Sequence, residues 1–162
     1  MVLQYWYMQF ENFWNAGRYM IRSALLGDWV SVKELWDRFS TSRLATRIPA
    51  SLQDIECYFA NALTKSEIAF AVLEVLGEIK GFSIVHDAAD LERNKVAFLR
   101  AVHIEPSARR YSGEMSEWLN NWAKYRGCTM IQGYCCLDFP LKAYTKLHGV
   151  RPLWTVVGKE VV

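Results

Sequence analysis

No stretch of this sequence approaches the roughly 20 consecutive apolar residues that a membrane-crossing helix needs. Nor does it open on the basic, apolar and small-residue phases of a secretory leader. The expectation is a soluble, cytoplasmic protein with no membrane partner. Cysteine is sparse. Cys57, Cys128, Cys135 and Cys136 have neither metal-ligand spacing nor the spacing of a disulfide framework. Cys135 and Cys136 are adjacent on an expected strand and unsuited to pairing with each other, so reduced thiols and no metal site are expected. Charge of one sign is scarce too: a formal net charge of +2 is too small to hold a nucleic acid without a clustered basic patch. The sequence shows no internal repeat and no linker. What it has in quantity is apolar and aromatic side chains, 52% and 14% of its residues, enough for one domain with a real core.

The aromatics crowd at the start. Trp6, Phe10, Phe13 and Trp14 fall at i, i+4, i+7 and i+8, so a helix there would carry an aromatic face. Such a face packs on its own domain, pairs with a second copy of the chain as a homodimer, or holds a partner. From Met20 the pattern begins afresh. Residues 19–24 alternate as a strand, and Gly27-Asp28 opens a helix with Val32, Leu35, Trp36 and Phe39 on one face and Ser31 and Glu34 placed for a capping box. After a polar stretch ended by Pro49, a second helix is expected over 51–63, with Leu52, Ile55, Phe59, Ala62 and Leu63 inward. Ile68–Val75 and Ile79–His86 read as a hairpin turning at Leu76-Gly77-Glu78, and Gly81 inside the second strand marks a bulge or a close backbone approach. Residues 86–95 are an expected loop.

The stretch from Val96 to Trp122 organises the rest: an apolar strand, a Pro-marked turn, a short basic loop and an amphipathic helix. Amides at a helix start lack intrahelical partners and the helix dipole adds positive potential there. With Arg109 and Arg110 before it and Gly113 letting a backbone approach, the place suits a phosphate or pyrophosphate, or is simply a solvated basic turn. Met115, Trp118, Leu119, Trp122 and Ala123 line one face of the helix, which stops at Gly127. A strand over 129–135, a helix over 140–148 and a strand over 152–162 follow.

Ile104-Glu105-Pro106 followed by Arg110-Tyr111-Ser112-Gly113-Glu114-Met115 resembles the V-x-P and Q/R-x-x-G-x-G/A signature of the GNAT superfamily of N-acetyltransferases, with Met115 in place of the second small residue. LEVLGEIKGFSIV resembles that family's strand–turn–strand, and the element order matches from about Tyr19 to Val162. The resemblance implies an α+β fold, an α/β/α sandwich whose mixed, mostly antiparallel sheet is flanked by helices. It implies a domain over 20–162 with 1–19 as an aromatic extension. It also implies an N-acyltransferase that moves an acetyl group from acetyl-CoA to an amine acceptor by direct attack, the acceptor being a small molecule or a protein. The alternative is a catalytically degenerate descendant of that fold, a binding or structural protein of the kind a phage or mobile element would carry, acting through partner contacts.

By position, Val102, His103 and Ile104 would offer strand amides to the thioester arm, and Arg109, Arg110, Tyr111, Ser112, Gly113, Glu114 and Met115 would wrap the pyrophosphate. The long Met115 side chain is expected to crowd that loop. The reaction needs a base for the ammonium proton and an acid for the leaving thiolate. His103, Glu105 and Glu74 are the candidate bases, each with an ordinary strand or turn residue as its plainer reading. The family's acid is a Tyr on the last helix. Tyr144 takes that role if the register shifts by one residue, Thr145 falling at the position counted back from Gly149. No His or Asp is spaced to activate Cys135 or Cys136 as a nucleophile.

Overall fold

A computed structural model describes residues 19–40, 51–89 and 94–133 of the chain. The expected aromatic face over 6–14, the helix carrying Tyr144, the last strand, Cys135 and Cys136 lie outside the described residues.

The first strand, β1, is Tyr19–Ser23. A 3-10 turn over Leu26–Asp28 leads into α1, Trp29–Ser40. The helix start is fixed differently from expectation. Asp28, not a Ser31–Glu34 box, reaches back to the Leu25 amide at 2.7 Å. Asp28 also takes two bonds from the Arg22 guanidinium, at 2.6 and 2.9 Å, while Arg22 grips Glu74 from its other side. The turn is thereby bolted to the sheet. Helix α2, Leu52–Ala62, begins on Ser51, whose hydroxyl and amide exchange bonds with Asp54 in a capping box.

Strands β2, Ile68–Val75, and β3, Glu78–Ala89, form the expected hairpin. Its two-residue turn, Leu76-Gly77, has φ of 53° and 82°, the doubly left-handed turn whose twist matches that of the flanking strands. Strand β3 runs through part of the expected 86–95 loop, pairing Ala89 with Lys95 at the start of β4, Lys95–Ile104. Strand β5 is described over Met130–Gly133. The sheet order is β1-β2-β3-β4-β5, with antiparallel neighbours except for the parallel β4–β5 pair. The last helix described, α3, is Ser112–Tyr125; Gly127 at φ 70° stops it as its composition foretold.

Both faces of the sheet are covered, which is why β2 reads as a continuous apolar run rather than an alternating one. On one face Phe70, Val72, Phe82 and Ile84 meet Val32, Leu35, Trp36 and Phe39 of α1 and Ile55 and Phe59 of α2. On the other, Ile21, Ala69, Ala71, Leu73, Val85 and Ala97 meet Met115, Leu119, Trp122 and Ala123 of α3. The small residues on this second face let α3 bring two large side chains down onto the strands. The result is the α+β sandwich with a mixed, mostly antiparallel sheet. Among the described residues no helix is long and apolar enough to cross a membrane, and no group of His, Cys, Asp and Glu is placed to hold a metal ion.

Candidate functional site

The site is built on the end of β4. Its partners in β3 run Leu99↔Val85 and then Ala101↔Ile84, so Arg100 is an extra residue, a β-bulge. The bulge reverses the phase of the strand. Before it, Ala97 and Leu99 face α3; after it, Ala101 faces the α1–α2 layer and Ile104 faces α3. Pairing with β5 extends from Val96↔Met130 to Leu99↔Gly133. Among the described residues, 100–104 has β3 as its only strand neighbour.

The hydrogen-bonding edges follow from this phase. The Glu105 amide donates to the Lys80 carbonyl at 2.9 Å, and the His103 carbonyl lies against Gly81. Alternate residues of a strand direct their amides to opposite edges. Val102 and Ile104 therefore turn theirs away from β3, toward the edge that no described strand pairs, whereas His103 is spent on β3. Beside Val102 on the neighbouring strand lies Ser83, fully buried, whose hydroxyl has no hydrogen-bond partner among the described residues.

Beyond β4 the expected loop is a 3-10 helix, Pro106–Tyr111, running straight into α3. The Ser112 amide already donates to the Arg109 carbonyl and the Ala108 amide to the Glu105 carbonyl at 2.9 Å, so these two donors are satisfied within the chain. Arg109 and Arg110 are exposed. The Arg110 guanidinium lies 4.8 Å over the ring of Tyr111, which is buried and stacked 4.3 Å from Tyr19. Glu114 takes a hydrogen bond from Tyr19, whose phenol is pushed up by burial and by that carboxylate. Gly113 has ordinary helical backbone, and a Cβ there would meet nothing within 4 Å. It faces open space on the first turn of α3. Met115 does not crowd the approach: it is 1% exposed and points into the core.

The three candidate bases differ in what holds them. Glu74 is engaged by Arg22. Glu105 is ion-paired through both oxygens, with Arg38 at 2.9 Å and Lys80 at 3.5 Å. Among the described residues His103 makes no such pair; its ring centre lies 5.1 Å from that of Phe39 and 5.9 Å from that of Phe82. Burial holds its pKa below the ordinary 6.5, with Glu105 opposing and Arg38 and Arg109 assisting. The ring is neutral near pH 7 and can accept a proton. Cys128 is unsuited to nucleophilic work, since burial pushes its thiol up. A further group had no signal in the sequence. Tyr58 of α2, His86 of β3, Phe98 of β4 and the bulge residue Arg100 gather beside the β4 bulge. A strand read by simple alternation does not place Arg100 there.

A protein named AAC(6′)-Iy, solved in complex with the bisubstrate analogue CoA-S-monomethyl-acetylneamine, superposes with a TM-score of 0.74 at 13% identity, covering 90% of this chain and 99% of that one. The chain has the GNAT fold. Glucosamine-6-phosphate N-acetyltransferase from Arabidopsis thaliana shares this GNAT architecture at a TM-score of 0.67, with 14% identity over 89% of this chain and 99% of its own. The aminoglycoside 6′-N-acetyltransferase of Acinetobacter baumannii matches at 0.70, with 15% identity over 89% and 98% of the two chains. No family model and no curated protein matches the sequence. The GNAT likeness is thus one of fold, carried by the order and register of elements rather than by conserved identity.

Proposed function

We propose that the chain is an N-acyltransferase that binds acetyl-CoA and transfers its acetyl group to an amine acceptor. The observation that carries the reading is the end of β4, where two outward amides, on an edge that no described strand pairs, run directly into an exposed Arg pair and the open first turn of α3. The donor set fits the group. Val102 and Ile104 would hold the amide-rich pantetheine arm as an added strand is held, while Arg109 and Arg110, beside the open approach at Gly113, would take the pyrophosphate. When bound, the thioester supplies an activated acyl carbonyl. Neutral His103 takes the ammonium proton of the acceptor, and Tyr144 returns a proton to the leaving thiolate. Glu105 braces β4 against α1 and β3. Residues 1–19 serve as an accessory segment through which two copies pair, and the chain acts in the cytoplasm on soluble acceptors.

Calorimetry with CoA tests the cofactor reading. Ligand at about 100 times its dissociation constant stabilises the fold by roughly 2.7 kcal/mol. Gly113→Glu fills the open approach and adds negative charge, so it abolishes that gain. No heat and no stabilisation at millimolar CoA would remove the reading. A second reading, a GNAT-fold binding protein without catalysis, is favoured by one observation: Ser112 and Glu105 are already satisfied within the chain. It predicts CoA binding without thiol release for any amine.

A further inference from the structure

Four side chains from three elements converge where β4 leaves β5. The Arg100 guanidinium lies 5.6 Å over the ring of Tyr58 and 5.7 Å over that of Phe98. His86 completes the set, its ring 6.3 Å from Tyr58 in a stacked arrangement and 5.7 Å from Phe98. Two features make this more than a packed surface. Arg100 is exposed while the three rings are half-buried, so a positive head stands on an apolar seat. Among the described residues no carboxylate forms an ion pair with it; Asp54 feels its field, but that carboxylate is held by Ser51. Rings flanking a guanidinium order it without using its N–H edge. That edge remains for a ligand, and its planar fork matches a carboxylate or phosphate.

The place decides what that ligand does. Arg100 is one residue beyond Leu99, the last described β4 partner of β5, and one before Ala101, which faces the α1–α2 layer. Its contact with Tyr58 of α2 puts the cationic head on the opposite sheet face from α3, beside the strand end proposed to hold the thioester. We propose that Tyr58, His86, Phe98 and Arg100 form an acceptor subsite, and that the amine acceptor carries an anionic group, carboxylate or phosphate, bound by Arg100. The proposal rests on the acyltransferase reading for its word "acceptor"; the anion site itself does not.

Two measurements separate the claims. In the first, thiol release from acetyl-CoA is followed with paired amines: 2-aminoethyl phosphate against ethanolamine, and β-alanine against its amide. The anionic member of at least one pair should have a kcat/KM about 10- to 100-fold higher, the range of a charge-assisted hydrogen bond. Which pair responds tells phosphate from carboxylate. In Arg100→Gln that ratio should collapse toward one, and in Arg100→Lys recover in part. An equal ratio in wild type and R100Q, or preference for the neutral members, overturns the proposal. The second needs no turnover: the Arg100 Nε–Hε resonance of the full chain is followed on titration with inorganic phosphate and with acetate, against chloride at equal ionic strength. It should move with one of the two anions and not with chloride. No movement with either overturns the site even where CoA binds. Movement in a protein that fails to bind CoA keeps the anion site and removes the acyltransferase reading.

Discussion

Arg38 on α1 reaches the end of β4 and pairs with Glu105, Nη2 to Oε1 at 2.9 Å. Lys80 approaches the other oxygen of the same carboxylate at 3.5 Å, and its backbone carbonyl accepts from the Glu105 amide. One residue thus joins α1, β3 and the strand end, at the point where the chain turns into its 3-10 helix. A carboxylate held this way serves geometry. Glu105→Gln should lower stability by up to about 1 kcal/mol, since Arg38 is largely exposed and the pair is screened. Turnover should fall less than about tenfold. Thermal denaturation read beside thiol release decides the matter: a loss of about 10²-fold with unchanged stability would make Glu105 the base instead.

His103 carries the pH dependence. Its folded pKa lies below the ordinary imidazole value because burial opposes the charged form. Between the two values the unfolded chain binds more protons than the folded one. Stability is therefore fully present above about pH 6.5 and is lost as pH falls toward the folded value. Urea titrations across this window should show that slope, and His103→Gln should flatten it. As the base, His103 should also place the acid limb of kcat/KM below pH 6.5, and the Gln variant should lose about 10²-fold in turnover. A limb unmoved by the substitution would take His103 out of the chemistry.

Local chemistry read true where one short segment decides the outcome. The hairpin was legible because Leu76-Gly77 can adopt a doubly left-handed turn, and the end of α3 because Gly127 can leave a helix at positive φ. Gly81 announced a close approach, and the His103 carbonyl makes it. The Arg100 bulge was not legible, since an extra residue is defined only by what lies opposite it on another strand. That one residue decides which edge Val102 and Ile104 address and which face His103 and Arg100 share. The candidate bases were legible only as residue types, because the pairing of Glu74 and Glu105 with Arg22 and Arg38 joins elements far apart in the chain. Met115 misled because the signature fixes its place in the motif and not the direction of its side chain, which the helix period turns inward.

Ser83 offers a test of the core beside β4. Its hydroxyl is fully buried without a partner, which leaves its desolvation uncompensated. Ser83→Ala keeps the small volume and removes the orphan, so the fold should gain about 1 kcal/mol in urea denaturation. A comparable loss would mean that the hydroxyl is hydrogen-bonded in solution.

Gly81 links the backbone of the sheet to the proposed cofactor. A Cβ there would lie 2.8 Å from the His103 carbonyl oxygen and 3.3 Å from the Ile104 Cα, both backbone atoms that cannot rotate aside. Gly81→Ala must therefore push the end of β4 outward, at a cost of about 1–3 kcal/mol. The displaced segment holds the outward amides of Val102 and Ile104, so CoA affinity should fall by at least about tenfold. Gly77→Ala is the control. It strains a turn residue at φ 82° while a Cβ there would touch nothing within 4 Å, so it should cost stability by a similar route and leave CoA affinity unchanged. Calorimetry on both variants, at temperatures where each is folded, separates the two effects. Equal loss of affinity in both would mean that CoA binding follows global stability, and unchanged affinity in Gly81→Ala would move the thioester arm away from the end of β4.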